Sequence, residues 1–539
     1  MIQMRSKSAL LETQALSVNF GKKLVLDQIT LRLSPDEVLG VVGETGAGKS
    51  VLARALINLV PGKGYISGGR VLVGGQDVQE MSSEALRQLR GGVVSLIGTD
   101  AKSLLDPVRP VGEQVADVLR AHRGLSASEA RLEAIDLFAK VGIVDPEKRA
   151  EAYPHQLSGG MAQRVIIAMA LIPEPKVILA DDATLGLDAT IQLQVLDLLV
   201  ERCREAGMGA VIITHDLGIV ARYCDRVAIM REGRIIEEGS TRAFLKAPST
   251  PYGRELLDSA RVRPAPMARA EHGIDIGSVR PMLEIRNLVK HFPTPSGHVV
   301  KAVDDVSFQV PRGETLALVG ESGSGKTTVG QCLVRLLGSN SGSVLFDGTD
   351  VLTLSDKEFR PLRRNIQMVF QEPYVALNPR WTVERLIGEP LALDPTIQSR
   401  TDRRARVMEM LDRVRLPSKL AQEYPHALTA GEQKRVGMAR ALATRPGFVV
   451  FDEPTTALDI RVRAQIIDLV RDLQQEMQLA TLFITHDLNS VRSLAHNVAV
   501  MRHGKIVEIG ETERIFASPN HDYTRMLLGA ELPIEEFAA

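Results

Sequence analysis

The sequence predicts an α/β protein built twice over, as two tandem domains that each carry a mostly parallel sheet between helices. Three observations predict it. Four segments recur in the same order in the two halves of the chain. Short apolar runs such as Val177–Ala180 and Phe448–Phe451, the mark of strands buried on both faces, alternate with helical stretches. In each half a glycine-rich loop joins one such run to a helical pattern, as phosphate-binding loops do.

Composition sets the outer limits. A chain of 539 residues holds roughly three or four compact units at about 150 residues each. It is 44% apolar and 24% charged, with 44 Gly and 27 Pro; this is globular composition and excludes fibrous or wholly disordered chains. Net charge is −1 and aromatics are 4%. The chain thus lacks the overall basic excess of a nucleic-acid binder, and no nucleic-acid partner is expected. Cys203, Cys224 and Cys332 are far apart and form no CxxC pair or Cys/His cluster. Neither structural zinc nor an iron–sulfur cluster nor a disulfide framework is expected, and a reducing compartment is. The opening MIQMRSKSALLETQ lacks the apolar core of a signal peptide, and no run of about 18 apolar residues occurs. Any membrane role is therefore expected to run through a partner.

The repeat is explicit. GETGAGKS at Gly43–Ser50 returns as GESGSGKT at Gly320–Thr327, and YPHQLSGGMAQR at Tyr153–Arg164 returns as YPHALTAGEQKR at Tyr424–Arg435. ILADDATLGLD at Ile178–Asp188 returns as VVFDEPTTALD at Val449–Asp459, and IITHDL at Ile212–Leu217 as FITHDL at Phe483–Leu488. The last three pairs share one offset, which marks a duplicated large domain rather than a solenoid. Between the copies, Asp258–Pro281 is rich in Pro, Ala and Arg, without apolar periodicity, and is expected to be a linker. The predicted domains are 1–257 and 282–539.

Each element has a local reason. The runs VLGVV at Val38–Val42 and TLALV at Thr315–Val319 predict strands, each followed by the loop and then a helix. Such a loop turns backbone N–H groups and a helix N-terminus toward phosphate. Lys49 and Lys326 would reach the β and γ phosphates, and Ser50 and Thr327 would hold Mg²⁺. Val111–Ala152 is expected to be mostly helical, with Ser126 and Glu129 at capping-box spacing and Leu132, Ile135, Phe138 and Val141 on one apolar face. The glycines of LSGGM open a second helix at Leu157–Met161. The acids Asp181–Asp182 and Asp452–Glu453 end buried strands, where a doubly wound sheet faces its ligand. The first acid of each pair suits a Mg²⁺ shell and the second suits orienting the attacking water. His215 and His486 follow strands in register and are expected to contact the γ-phosphate.

Together these segments resemble the ATP-binding cassette (ABC) ATPases over nearly the whole chain, twice. The resemblance implies two tandem P-loop NTPase cassettes, each a RecA-like core with an antiparallel β subdomain and a helical subdomain. It implies that the cassettes pair head to tail, with ATP between the phosphate loop of one and the signature of the other. In copy one the implied ATP contacts are Gly43, Glu44, Thr45, Gly46, Ala47, Gly48, Lys49, Ser50, Ser158, Gly159, Gly160, Met161, Asp182 and His215. In copy two they are Gly320, Glu321, Ser322, Gly323, Ser324, Gly325, Lys326, Thr327 and Thr328. Phe20 and Phe292 fall where the family sets an aromatic against adenine. Ser50, Asp181, Thr327, Gln371 and Asp452 are implied around Mg²⁺, and Glu453, His486 and Gln371 in catalysis.

YPHxLSGGMxQR, Asn378–Pro379, and the tails APSTPYGRELL and SPNHDYTRMLL resemble the dipeptide/oligopeptide/nickel importers. That branch implies two permease subunits, a substrate-binding protein, and a place on the cytoplasmic face of the bacterial inner membrane. Some relatives carry a cysteine cluster in the tail; no Cys follows Cys332, so none is expected. Two other readings are a soluble ribosome-associated tandem ATPase, which would have a long charged linker, and a fused sugar-importer ATPase, which would lack the YPHxLSGGM and tail patterns.

The copies are unequal. Copy one has Gly98 in the slot of Gln371 and Asp182 in the slot of Glu453, but keeps LSGGM. Copy two keeps Gln371 and Glu453, but its signature is LTAGE, with Ala430 for Gly. In head-to-tail pairing every departure falls in one site and none in the other, so one hydrolytic and one slow or silent site are expected.

Overall fold

The structure, a computed structural model, describes residues 9–99, 101–261, 280–293, 299–372, 376–456, 458–532, 534 and 537. It divides into two compact units. The first is built on the chain up to Arg261, together with Asp459–Arg461 and the last residues from Leu532; the second holds the rest.

In the first unit the strands are β1 Leu11–Phe20, β2 Lys23–Leu33, β3 Val38–Gly43, β4 Gly64–Val73, β5 Gln76–Asp77, β6 Val94–Ile97, β7 Val177–Asp181, β8 Gly209–Ile213, β9 Arg226–Arg231 and β10 Arg234–Ser240. They form an antiparallel four-stranded sheet, β2-β1-β4-β5, and a six-stranded sheet, β10-β9-β3-β8-β7-β6, parallel except at β10. In the second unit they are β11 Leu283–Pro293, β12 Val299–Val310, β13 Thr315–Val319, β14 Ser341–Phe346, β15 Thr349–Asp350, β16 Ile366–Val369, β17 Phe448–Asp452, β18 Ala480–Thr485, β19 Asn497–Arg502 and β20 Lys505–Glu511. Their orders, β12-β11-β14-β15 and β16-β17-β18-β13-β19-β20, repeat the first unit. β3, β7, β8, β13, β17 and β18 are buried at every position, which is why their sequences are almost unbroken apolar runs.

The helical subdomain of the first unit contains Val111–Arg123, Ala127–Lys140 and Pro146–Ala150. The expected capping box is present, with Ser126 N–H donating to Glu129 at 3.0 Å. The expected apolar face needs correction. Phe138 and Val141 are buried, but Leu132 is 70% exposed. A spacing of three residues drifts about 60° per step at 100° per residue, which carries Leu132 to the opposite side from Val141. The buried stripe is Ala130, Ala134 and Phe138, at a spacing of four. A second difference lies at the domain boundary. Helix Pro251–Ala260 takes in Asp258–Ala260, the first residues of the segment expected as linker. Residues 262–279 of that segment lie outside the described residues. No helix among the described residues is long and apolar enough to cross a membrane.

Candidate active sites

Each phosphate loop leaves the C-terminal end of the central strand of its six-stranded sheet. Gly43 and Gly320 open the loops because a Cβ there would run into the carbonyl of Met230 or Met501 on the adjacent strand. Gly48 and Gly325 cap the following helices with φ of 100° and 108°, a backbone that a side chain resists. Lys49 is buried, and its Nζ donates to the carbonyls of Gly43 at 2.7 Å and Glu44 at 3.0 Å. Lys326 repeats this on Gly320 at 2.7 Å and Glu321 at 2.9 Å. Burial pulls the Lys49 pKa down, against the pull of nearby Asp182. Both ammonium groups are thus parked on their own loops, ready to be drawn by a more negative ligand.

The first helical hydroxyl meets the strand-ending acid in each unit. Ser50 Oγ donates to Asp181 at 2.9 Å, and Thr327 Oγ1 donates to Asp452 at 3.0 Å. Burial raises both carboxyls, Asp452 to about 6.

The second acid departs from the strand in a left-handed conformation, φ 47° at Asp182 and 43° at Glu453. That costs roughly 1–2 kcal/mol for a residue with a side chain. In both units its N–H still bonds the neighbouring strand, at Ile213 or Ile484, at 2.9 Å. The side chains then differ. Glu453 accepts from Gln371 Nε2 at 2.9 Å and from Thr456 Oγ1 at 2.9 Å, and pairs with His486 Nδ1 at 3.3 Å. Burial opposes the charge on both partners, but their mutual attraction outweighs it, lowering Glu453 and raising His486. Asp182 pairs with His215 Nδ1 at 3.2 Å. Gly98 offers no side chain; the next residue, Thr99, donates to the Asp181 carbonyl at 3.2 Å instead.

The signatures begin their helices at Gly159–Leu171 and Ala430–Leu442. Ser158 caps the first, accepting from Met161 N–H at 3.2 Å. Thr429 caps the second, but its hydroxyl also donates to the Glu432 carboxylate at 2.8 Å, so that group is already engaged. Phe292 is 36% exposed, with the Lys290 ammonium 5.0 Å from its ring centre, whereas Phe20 is half-buried against Gly64.

Two contributors escaped the sequence reading. Thr456 braces Glu453, and Leu185 stands in its place in copy one; aligning the two repeats residue by residue exposes this. Lys434, one helical turn inside the second signature helix, is buried and donates to the Gln371 carbonyl and, at 3.4 Å, to the Glu453 carbonyl. Burial brings its pKa to about 8. Copy one has Gln163 there, with its Nε2 buried and without a partner among the described residues. Nothing in the sequence singles out Lys434 from the other charges of its helix, Glu432, Arg435 and Arg440.

Comparison with known proteins gives concordant matches. The model of the ABC transporter family matches residues 26–185 and 303–456, and that of the oligopeptide/dipeptide transporter C-terminal region matches 507–536. The chain is 40% identical over 537 residues to the peptidoglycan transport ATP-binding protein YejF of Agrobacterium fabrum, covering 98% of this chain and 97% of that one. It is 42% identical over 533 residues to the glutathione import ATP-binding protein GsiA of Salmonella typhimurium, covering 93% and 85%.

Proposed function

The chain belongs to the ABC transporter ATP-binding family, and from that premise we propose that it energises a binding-protein-dependent importer of peptides or peptide-like solutes, with turnover confined to one of two ATP sites. The observation that carries the site assignment is the constellation of Gln371, Thr456 and His486 around Glu453, which the first unit lacks except for its histidine.

In this reading Glu453 is the general base. His486 shares its charge and stands by the γ-phosphate, and Gln371 fixes the carboxylate through its amide. Lys326 leaves the Gly320 and Glu321 carbonyls for the phosphates. A charge held at 2.9 Å by a preset amide needs little rearrangement to act on water. Asp182 is one methylene short and has no such amide, and a misplacement of about 1 Å can cost on the order of 10²-fold. Ala430 adds a methyl group where the intact signature keeps its backbone open. If the units pair head to tail, all departures share one site, which supports one hydrolytic and one binding-only site.

The residues fit Mg²⁺ as well. A buried carboxylate met by one side-chain hydroxyl is an oxygen donor set of the kind a hard cation takes. Thr327, Asp452 and the Gln371 amide oxygen would hold it in the second unit, and Ser50 and Asp181 in the first. Bound Mg²⁺ supplies charge neutralisation on the phosphates.

The importer assignment draws on the named relatives and the C-terminal match. Two permeases and a substrate-binding protein follow from it, and they would place the chain on the cytoplasmic face of the membrane. Leu104 and Val108, 53% and 77% exposed after the Gly98 position, support a docking role for Thr99–Arg109. In its counterpart Glu372–Arg380, residues 373–375 lie outside the described residues.

The test is steady-state ATPase of the transporter carrying Glu453→Gln or Asp182→Asn. The first is expected to lose about 10²-fold or more, in the range for removal of a general base. The second is expected to stay within about twofold. Equal losses would mean alternating catalysis and overturn the assignment.

A further inference from the structure

The C-terminal segment of each unit reaches its own phosphate loop, and the anchor that brings it there is built the same way twice. A carboxylate in the last strand gathers the turn before the tail helix. In the second unit Glu508 accepts from the N–H groups of Asn520 and His521 at 2.8 and 3.1 Å. In the first, Glu237 accepts from those of Ser249 and Thr250 at 2.6 and 3.1 Å. Burial works against both charges, but hydrogen bonding to the carboxylates, led at Glu237 by the Thr250 hydroxyl, outweighs it and holds both below the usual range. The anchored helices, Asp522–Gly529 and Pro251–Ala260, then bury one tyrosine each, Tyr523 and Tyr252. An arginine from the preceding strand lies over each ring, Arg502 at 4.7 Å and Arg231 at 4.9 Å.

The hydroxyl of Tyr523 accepts a hydrogen bond from the Glu321 N–H at 3.0 Å. Glu321 is the pivot of the loop: its carbonyl takes the Lys326 ammonium at 2.9 Å and the Ser324 N–H at 3.1 Å. It sits at the far end of the loop from the helix N-terminus, where N–H groups point at phosphate, so Tyr523 satisfies a donor without blocking the cradle. In the first unit Tyr252 reaches the same place beside the Glu44 main chain, but its buried hydroxyl makes no hydrogen bond of normal geometry among the described residues.

We infer that Tyr523 is a positioning residue for ATP binding in the second unit, the point at which the C-terminal segment braces the phosphate loop from behind. In the first unit the brace is slack. Holding Glu321 from outside keeps its carbonyl aimed at Lys326, so the loop is set before the nucleotide arrives. By linkage the effect is reciprocal: nucleotide that orders the loop also tightens the tail. The inference rests on ATP binding by the cassette and is independent of which solute is carried or which site turns over.

The experiment uses the full chain with Lys49→Ala and Glu453→Gln, so that calorimetric titration with Mg-ATP reads the second unit without turnover. Adding Tyr523→Phe is expected to raise the Kd about three- to tenfold, the range of one net hydrogen bond. Tyr252→Phe in the same background is expected to leave Kd unchanged. Amide exchange of Asp522–Gly529 is expected to slow on adding Mg-ATP in the parent and not in Tyr523→Phe. A Tyr523→Phe chain that binds ATP as tightly as its parent overturns the inference, even if it melts earlier. So does an equal weakening by Tyr252→Phe, or a tail whose exchange ignores ATP in the parent.

Discussion

The acid pockets of the two units share a backbone and differ in what surrounds one carboxylate. Asp182 and Glu453 leave their strands with nearly the same positive φ and make the same N–H bond to the neighbouring strand. Glu453 has an amide, a hydroxyl and an imidazole around it, whereas Asp182 has the imidazole. The fold has therefore kept the strained geometry in both places, and the divergence lies in side chains that a few substitutions could exchange. Under the proposed function, the strain retained at Asp182 fits a backbone that serves the nucleotide site even without the groups that surround Glu453.

That comparison can be broken at several points. The largest effect after loss of Glu453 itself is expected from Gln371→Ala, which frees the carboxylate: turnover should fall about 10- to 100-fold, the scale of a misplaced catalytic group. Gly98→Ala should change little. Parallel losses in steady-state ATPase would show that the first unit also depends on its loop. Lys434→Gln, which gives the second unit the residue of the first, is expected to lower kcat about three- to tenfold through loss of its charge-assisted bonds. ATP affinity should hold, and Gln163→Lys should be silent. A change in KM instead of kcat would move Lys434 from holding the acid to holding the nucleotide.

The smallest effect concerns stability. Glu531 is half-buried near Asp487, with one carboxylate oxygen out of water, and burial raises its pKa from 4.5 to about 8; copy one has Ala260 at the matching place. Between those values the folded chain keeps a proton that the unfolded chain has lost, so stability falls as pH rises through the window, and the loss is complete above about 8. Glu531→Gln removes the dependence. Its melting temperature relative to the parent should rise by a few degrees from about pH 5 to pH 8.5, on the order of 1–3 kcal/mol. A constant difference would place Glu531 in water.

Much of this was legible in the sequence because the features involved are local. Glycines that clear a neighbouring carbonyl, apolar strands ending in acids, and a capping box each sit within a few consecutive residues, and duplication displays each of them twice. Leu132 falls outside the expected face because a three-residue spacing does not hold a face, and its drift is visible in the angle alone. Lys434 and Tyr523 were not legible for another reason. Both act on main-chain atoms, Lys434 on the carbonyls of Gln371 and Glu453 and Tyr523 on the Glu321 N–H, and a backbone partner leaves no trace in residue identity. The tail motif was visible as a pattern, but its target lay two hundred residues upstream.

The place of β3 inside its sheet also governs how the chain is born. Its neighbours are β8 and β9, with Val38 opposite Ala210 and Gly40 opposite Val227, and β13 is likewise set between β18 and β19. A ribosome adding about 5–20 residues per second delivers these partners on the order of ten seconds after the central strand itself. Until then a fully buried, apolar strand of each unit has both edges open, a hazard for pairing with another nascent chain. The sheets of the first unit, all of whose strands precede Arg261, can close while the second unit is still being made, so translation separates two sheets of the same strand order in time, which disfavours exchange of their strands.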